Sequence, residues 1–146
     1  MRIEREVILP ASPAVAWATL MDWERQAAWM RDADRIVVTS PIREGIGVAV
    51  SVRTRVLNVP LFTERLEVIG WDPPRELCMA HRSFIRGVGI WGLEPVGAGT
   101  RFRWTEDLSL PVPVLGEFAL RVYRPFMSRL MGGAMRDLQT LVGAGH

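Results

Sequence analysis

Three residues far apart in the chain have side chains suited to moving protons: Glu64, His81 and Glu106. Each falls at an inward position of a stretch in which apolar and polar residues alternate, so each points the same way as its valine and leucine neighbours. In an antiparallel meander the end of one strand lies beside the start of the next. The end of a strand through Val48–Val56 therefore lies with the start of one through Phe62–Val68, and the ends of strands through Leu77–His81 and Thr100–Glu106 reach that same edge. The inward polar residues there are Thr54, Glu64, His81, Ser83 and Glu106; the other inward positions are nearly all apolar. A few polar groups converging at one end of an apolar cavity is the usual pattern of a small-molecule site. A carboxyl kept in such a place has a raised pKa, which suits proton transfer near neutrality at a carbon beside a carbonyl.

Two carboxylates sharing an apolar mouth also repel, so at least one of Glu64 and Glu106 should hold its proton unless a cation intervenes. Parity turns Arg53 and Arg82 outward, which leaves Arg86, in the hairpin after His81, as the expected counter-charge. A plainer reading competes: strand ends are often solvated, and Glu64 and Glu106 then pair with Arg53, Arg82 or Arg86 in water, worth about 0–1 kcal/mol each. A lone histidine at a strand end is likewise more often structural or exposed than catalytic.

Other chemistries find no support. One internal histidine and one cysteine, Cys78, cannot assemble a usual zinc site. There is no G-x-S-x-G elbow and no glycine-rich phosphate loop. No metal and no cofactor are expected.

The elements that must hold these residues can be read from the pattern. Residues 2–9 alternate weakly and end at Pro10, a first strand. Ser12 then reads as a helix N-cap with Pro13 at the first helical position, where a missing N–H costs nothing. A short helix through Trp17 and Leu20 follows. From Ile36 to Leu108 the period is two, with turns at Asn58–Pro60, Asp72–Pro74 and Gly97–Gly99. From about Pro113 to Val142 the chain reads as helix, with Phe126, Leu130, Ala134, Leu138 and Leu141 forming one stripe. Pro125 should kink or divide it. The inward face carrying Val50, Leu66, Met79, Trp91 and Trp104 should meet this helix. The whole is an α+β arrangement in which one long helix covers a strongly twisted sheet, and a cavity between the two is the natural result.

Met127, Met131 and Met135 flank the helical stripe at four-residue steps. Methionine is flexible and polarisable and suits a pocket that accepts varied apolar shapes, although ordinary core filling uses it equally. Trp91, Phe102, Trp104 and Phe126 would supply flat walls, and Val52, Thr54, Leu66, Met79 and Leu130 the rest of the ligand-binding set. The stretch MDWERQAAWM (Met21–Met30) reads as a second short helix across an open end of the sheet. Trp29 and Met30 would cap the cavity there, while Glu24, Arg25 and Gln26 face water.

Composition sets the wider bounds. The 146 residues suit one domain, with a formal net charge of +2. Every positive side chain is arginine, interspersed with acids, so the basic stripe that nucleic acid requires is missing. No apolar run is long enough for a membrane span. The charged N-terminus and the single cysteine read as the mature start of a cytoplasmic protein.

Three blocks give a resemblance. Pro13-Ala-Val-Ala-Trp17-Ala-Thr-Leu20-Met-Asp22 running on to Trp29, then Trp71-Asp-Pro-Pro-Arg75, then Trp91-Gly-Leu93-Glu-Pro95 with Gly99-Thr100, resemble the START-like, or SRPBCC, superfamily and its polyketide cyclase/dehydrase-type proteins. The resemblance spans nearly the whole chain as one domain, residues 1–146. It implies the helix-grip fold: a seven-stranded antiparallel sheet around a long C-terminal helix, with two short helices after the first strand. It also implies an apolar pocket for a polyketide-, lipid- or sterol-like compound. The alternatives it leaves are a cyclase, aromatase or dehydratase using Glu64, His81 or Glu106, and an interaction module with a collapsed pocket. The expected partner is an apolar small molecule, with the protein a monomer or homodimer.

Overall fold

The computed structural model describes residues 1–56 and 58–144. The chain order is β1 (Arg2–Leu9), α1 (Pro13–Leu20), a 3-10 helix (Trp23–Ala28), β2 (Ala33–Val38), β3 (Ala49–Val56), β4 (Val59–Asp72), β5 (Glu76–Arg82), β6 (Arg86–Val96), β7 (Gly99–Ser109) and α2 (Pro113–Ala144). The seven strands form one sheet in the order β1-β7-β6-β5-β4-β3-β2, with antiparallel neighbours throughout. This is the helix-grip arrangement expected from the sequence, with α2 as the gripped helix.

Local chemistry accounts for the boundaries. The Ser12 side chain accepts from the Val15 backbone N–H, and Pro13 opens α1 where its lack of a donor is harmless. Asn58 turns the β3–β4 hairpin at φ 67, a left-handed conformation that asparagine tolerates. In α2, Pro125 does not divide the helix, which runs on through Ala144. Proline removes one backbone donor, and the buried face of the following turns holds the helix together across the gap.

The two ends of α2 live in different surroundings. Met131, Ala134, Met135, Leu138 and Val142 are buried in one core cluster with Leu9, Leu20, Leu77 and Phe102. A fully buried side chain of this size contributes about 1.5–3 kcal/mol, so this half anchors the helix. Val114, Leu115, Phe118 and Val122 in the first half are exposed. The core therefore fills one end of the grip and leaves the other open.

The MDWERQAAWM stretch differs from its expected orientation. A 3-10 helix repeats every three residues, so Trp23, Gln26 and Trp29 fall on one face, and all three are buried. Gln26 does not face water: its amide donates to the Leu20 carbonyl at 2.8 Å. The Trp23 indole donates to the Arg43 carbonyl, and Glu24 pairs with Arg43 outside. Trp29 packs among aromatic rings, 5.6 Å from Trp91 and 6.1 Å from Trp104 between centroids.

Candidate functional site

A cavity of about 590 Å³ lies between the inward sheet face and the middle of α2, from Ala119 to Ala134. Its wall is mainly apolar. Val50, Val52, Leu66, Met79, Trp91 and Trp104 come from the sheet, and Leu120, Met127, Leu130 and Met131 from α2. Thr63, Phe84 and Ala119 line it and are exposed, which places the mouth between the β3–β4 and β5–β6 hairpins and α2.

Of the residues expected to bind a ligand, Met30, Val52, Thr54, Leu66, Met79, Trp91, Trp104, Met127, Leu130 and Met131 line this cavity, as do Glu64, His81 and Glu106. Trp29, Phe102 and Phe126 do not. Trp29 and Phe102 are fully buried behind the wall, where they support Trp91 and Trp104. Phe126 lies against Tyr123, and it is Tyr123 that lines the cavity. Parity gives the side of a sheet on which a residue sits but not which layer of a thick aromatic cluster it occupies.

Polar groups meet at the end of the cavity toward the mouth. His81 on β5 donates from Nε2 to Glu106 Oε2 on β7 at 2.9 Å, and its Nδ1 lies 3.4 Å from Glu64 Oε1 on β4. The outer oxygens are also held: Trp104 Nε1 donates to Glu106 Oε1 at 2.9 Å, and Thr54 Oγ1 to Glu64 Oε2 at 3.1 Å. The His81 and Glu106 side chains are each only 9 % exposed. Gly89 makes the reach between strands possible. It stands opposite both Met79 and Glu106, and a Cβ there would lie 2.9 Å from both Glu106 carboxylate oxygens.

Burial alone would lower the His81 pKa. The hydrogen bonds to Glu106 and Glu64, with the charges behind them, outweigh it and raise the pKa to about 10. His81 is thus an imidazolium clamped between two carboxylates, and it fills the counter-charge role expected of Arg86. Arg86 is exposed on the outer face. Ser83 is also off the cavity: β5 ends at Arg82, parity lapses, and the Ser83 hydroxyl accepts from the Arg65 backbone N–H at 2.7 Å.

Sequence reasoning missed Asp32, which lines the cavity just before β2. Burial raises its pKa to about 6, with the nearby Glu64 charge adding, its own backbone hydrogen bond opposing, and Glu106 adding a little. The carboxyl in the cavity whose proton affinity is raised is therefore Asp32. The alternating pattern is clear only from Ile36 onward, so Asp32 falls in the segment before the strand, where alternation assigns no direction. Tyr123 was missed as well. Burial raises its phenol pKa, with Asp32 and Glu64 contributing. A signal existed, since Tyr123, Met127 and Met131 are spaced by four on α2. The hydrogen-bonded network of Thr54, Glu64, His81, Glu106 and Trp104 includes neither Asp32 nor Tyr123, so these two groups remain to meet a ligand.

No helix among the described residues is long and apolar enough to cross a membrane, and no cluster of metal-ligating side chains occurs among them.

Comparison with known proteins places this geometry. The family model described as polyketide cyclase / dehydrase and lipid transport matches residues 1–143. No curated protein compared with the chain matches it. Among solved structures, the Zhui aromatase/cyclase from Streptomyces sp. R1128 is similar with TM-score 0.81 at 15% identity, over 98% of this chain and 93% of that one. A protein from Thermus thermophilus is similar with TM-score 0.81 at 20% identity, over 99% of both chains. A START superfamily protein from Mycobacterium smegmatis follows with TM-score 0.77 at 13% identity, over 99% of both. At these identities the likeness is one of fold.

Proposed function

We propose that this chain, which belongs to the polyketide cyclase / dehydrase and lipid transport family, binds an apolar, polyketide-, lipid- or sterol-like small molecule between sheet and α2. The observation that carries this is the cavity itself, about 590 Å³ and walled by valine, leucine, methionine and tryptophan. Pockets of this size and lining bury most of a small ligand's surface, with a few polar groups setting its orientation. Asp32 and Tyr123 are polar groups of the lining that stand outside the Glu64–His81–Glu106 network and can do so. Native mass spectrometry of freshly purified protein is expected to show a bound apolar compound, and added ligand should displace a fluorescent apolar probe. A protein that is empty by mass and takes up no probe would refute the reading.

One observation favours a second reading, an enzyme moving a proton on a polyketide-like chain. An acid–base group works best with a pKa near the working pH. Asp32, at about 6, meets that condition, whereas His81, at about 10 and occupied at both nitrogens, does not. In this reading Asp32 takes the proton, Tyr123 donates a hydrogen bond to the carbonyl oxygen, and the Glu64–His81–Glu106 bridge is the scaffold beside them. Loss of turnover in Asp32→Asn with ligand binding retained would establish it.

A further inference from the structure

The outer face of the sheet near the cavity mouth gathers like charge. In the β5–β6 ladder Arg82 stands directly opposite Arg86. In the β4–β5 ladder Leu66 faces His81, and the same register brings Arg65 beside Arg82. Three adjacent strands thus carry three guanidinium groups in a row. Like charges directly opposite across an antiparallel pair are destabilising. The row is little relieved: among the described residues Arg82 pairs with Glu67 at 3.3 Å, and neither Arg65 nor Arg86 has an acidic partner.

These arginines line an open groove of about 570 Å³ together with hydroxyl groups. The Ser83 oxygen accepts from the Arg65 backbone, which leaves its own O–H free to donate into the groove. Guanidinium groups with a hydroxyl beside them are the donors that recognise a phosphate or carboxylate. The groove also has a defined relation to the cavity. Thr63 and Phe84 line both, and both are exposed, so the groove begins where the cavity opens.

We propose that this groove binds the anionic end, a phosphate or carboxylate, of an amphiphilic ligand whose apolar body occupies the cavity. The proposal rests on the apolar-ligand reading above and narrows its ligand class. An anion there offsets the repulsion within the arginine row, and a chain passing between Thr63 and Phe84 joins the two sites.

The test compares dodecyl phosphate, dodecanol and inorganic phosphate on the full chain, by calorimetry at low salt. Dodecyl phosphate is expected to bind roughly tenfold or more tighter than dodecanol, since charge-assisted bonds to guanidinium are the strong ones. The double variant Arg65→Gln with Arg86→Gln should remove that preference and leave dodecanol affinity unchanged. Inorganic phosphate should compete with dodecyl phosphate and not with dodecanol. Both arginines are exposed, and removing like charges should leave the unliganded melting temperature unchanged or higher, so loss of fold does not mask the result. Equal affinities in the wild type, or a preference that survives the double variant, would overturn the groove alone. Phosphate binding that does not compete with dodecyl phosphate would separate the two sites and overturn the link. Failure of both dodecyl compounds to bind would overturn the apolar-ligand reading and this proposal with it.

Discussion

His81 and Glu106 are joined by a 2.9 Å hydrogen bond although a whole strand, β6, lies between theirs. The contact exists because Gly89 leaves the intervening strand without a side chain at that height. Three strands thus share one charge arrangement at the open end of the grip.

The first prediction concerns the charge on His81. With its pKa raised to about 10, the ring should stay an imidazolium through neutral pH. Because the folded value lies above the unfolded one, its contribution to stability is complete below about pH 6.5 and is lost as pH rises through about 10. Replacing His81 with Leu leaves Glu64 and Glu106 facing each other in an apolar wall, which should cost about 3–5 kcal/mol. Imidazole NMR across the pH range and denaturant unfolding of the variant check this. An ordinary histidine titration near neutrality would remove the clamp.

The second prediction follows from Asp32, whose folded pKa of about 6 also lies above its unfolded value. Its favourable contribution is complete below the unfolded value near pH 3.8 and is lost as pH rises through about 6. Asp32→Asn, which cannot ionise, should match the wild type near pH 4. It should be more stable by roughly 1–3 kcal/mol at pH 8, since a tenfold change in proton affinity is worth about 1.4 kcal/mol. Urea unfolding at the two pH values reads the difference, and equal stability at both would show a solvated carboxyl.

The third prediction tests Gly89 as the gap that admits Glu106. In Gly89→Ala the new Cβ meets both carboxylate oxygens at 2.9 Å. A glutamate end normally swings aside at little cost, but His81 and Trp104 hold this one from either side. The variant should lose about 1–3 kcal/mol, as overpacked sites do, and the His81 titration should move toward neutrality. A stability loss with an unmoved His81 titration would make Gly89 a packing residue only.

How far the site was legible depends on which rule each residue obeys. Val50, Leu66, Met79, Trp91 and Trp104 follow strict alternation on regular strands, and all of them line the cavity. Strand direction likewise brings Glu64, His81 and Glu106 together from the sequence alone, because an antiparallel meander fixes which strand ends are neighbours. Several failures lie where a regular period ends or changes. Asp32 precedes the strand read from Ile36, Ser83 lies past the end of β5, and Gln26 sits on a three-residue repeat read as an ordinary helix. The clamp itself was not legible, because nothing in spacing says that a histidine falls between two carboxylates rather than beside them.

The last prediction separates pocket from core on α2. Met127 and Met131 both line the cavity and lie one turn apart, but Met131 is 2 % exposed and belongs to the buried core, whereas Met127 packs at its margin. Truncating a well-packed methionine costs about 2–5 kcal/mol because the neighbours relax only partly. Met131→Ala should therefore lower the melting temperature clearly and enlarge the cavity beside Ala134. Met127→Ala, nearer the open half of the helix, should cost less than about 1.5 kcal/mol, because few fixed neighbours lose contact there. Its effect should appear instead in the affinity for a fluorescent apolar probe, since its flexible thioether side chain is part of the wall a ligand meets. Thermal melts of both variants with and without the probe give the comparison. If Met127→Ala loses as much stability as Met131→Ala and binds probe as the wild type does, Met127 belongs to the core, and the ligand-contacting wall of α2 is left to Leu120, Tyr123 and Leu130.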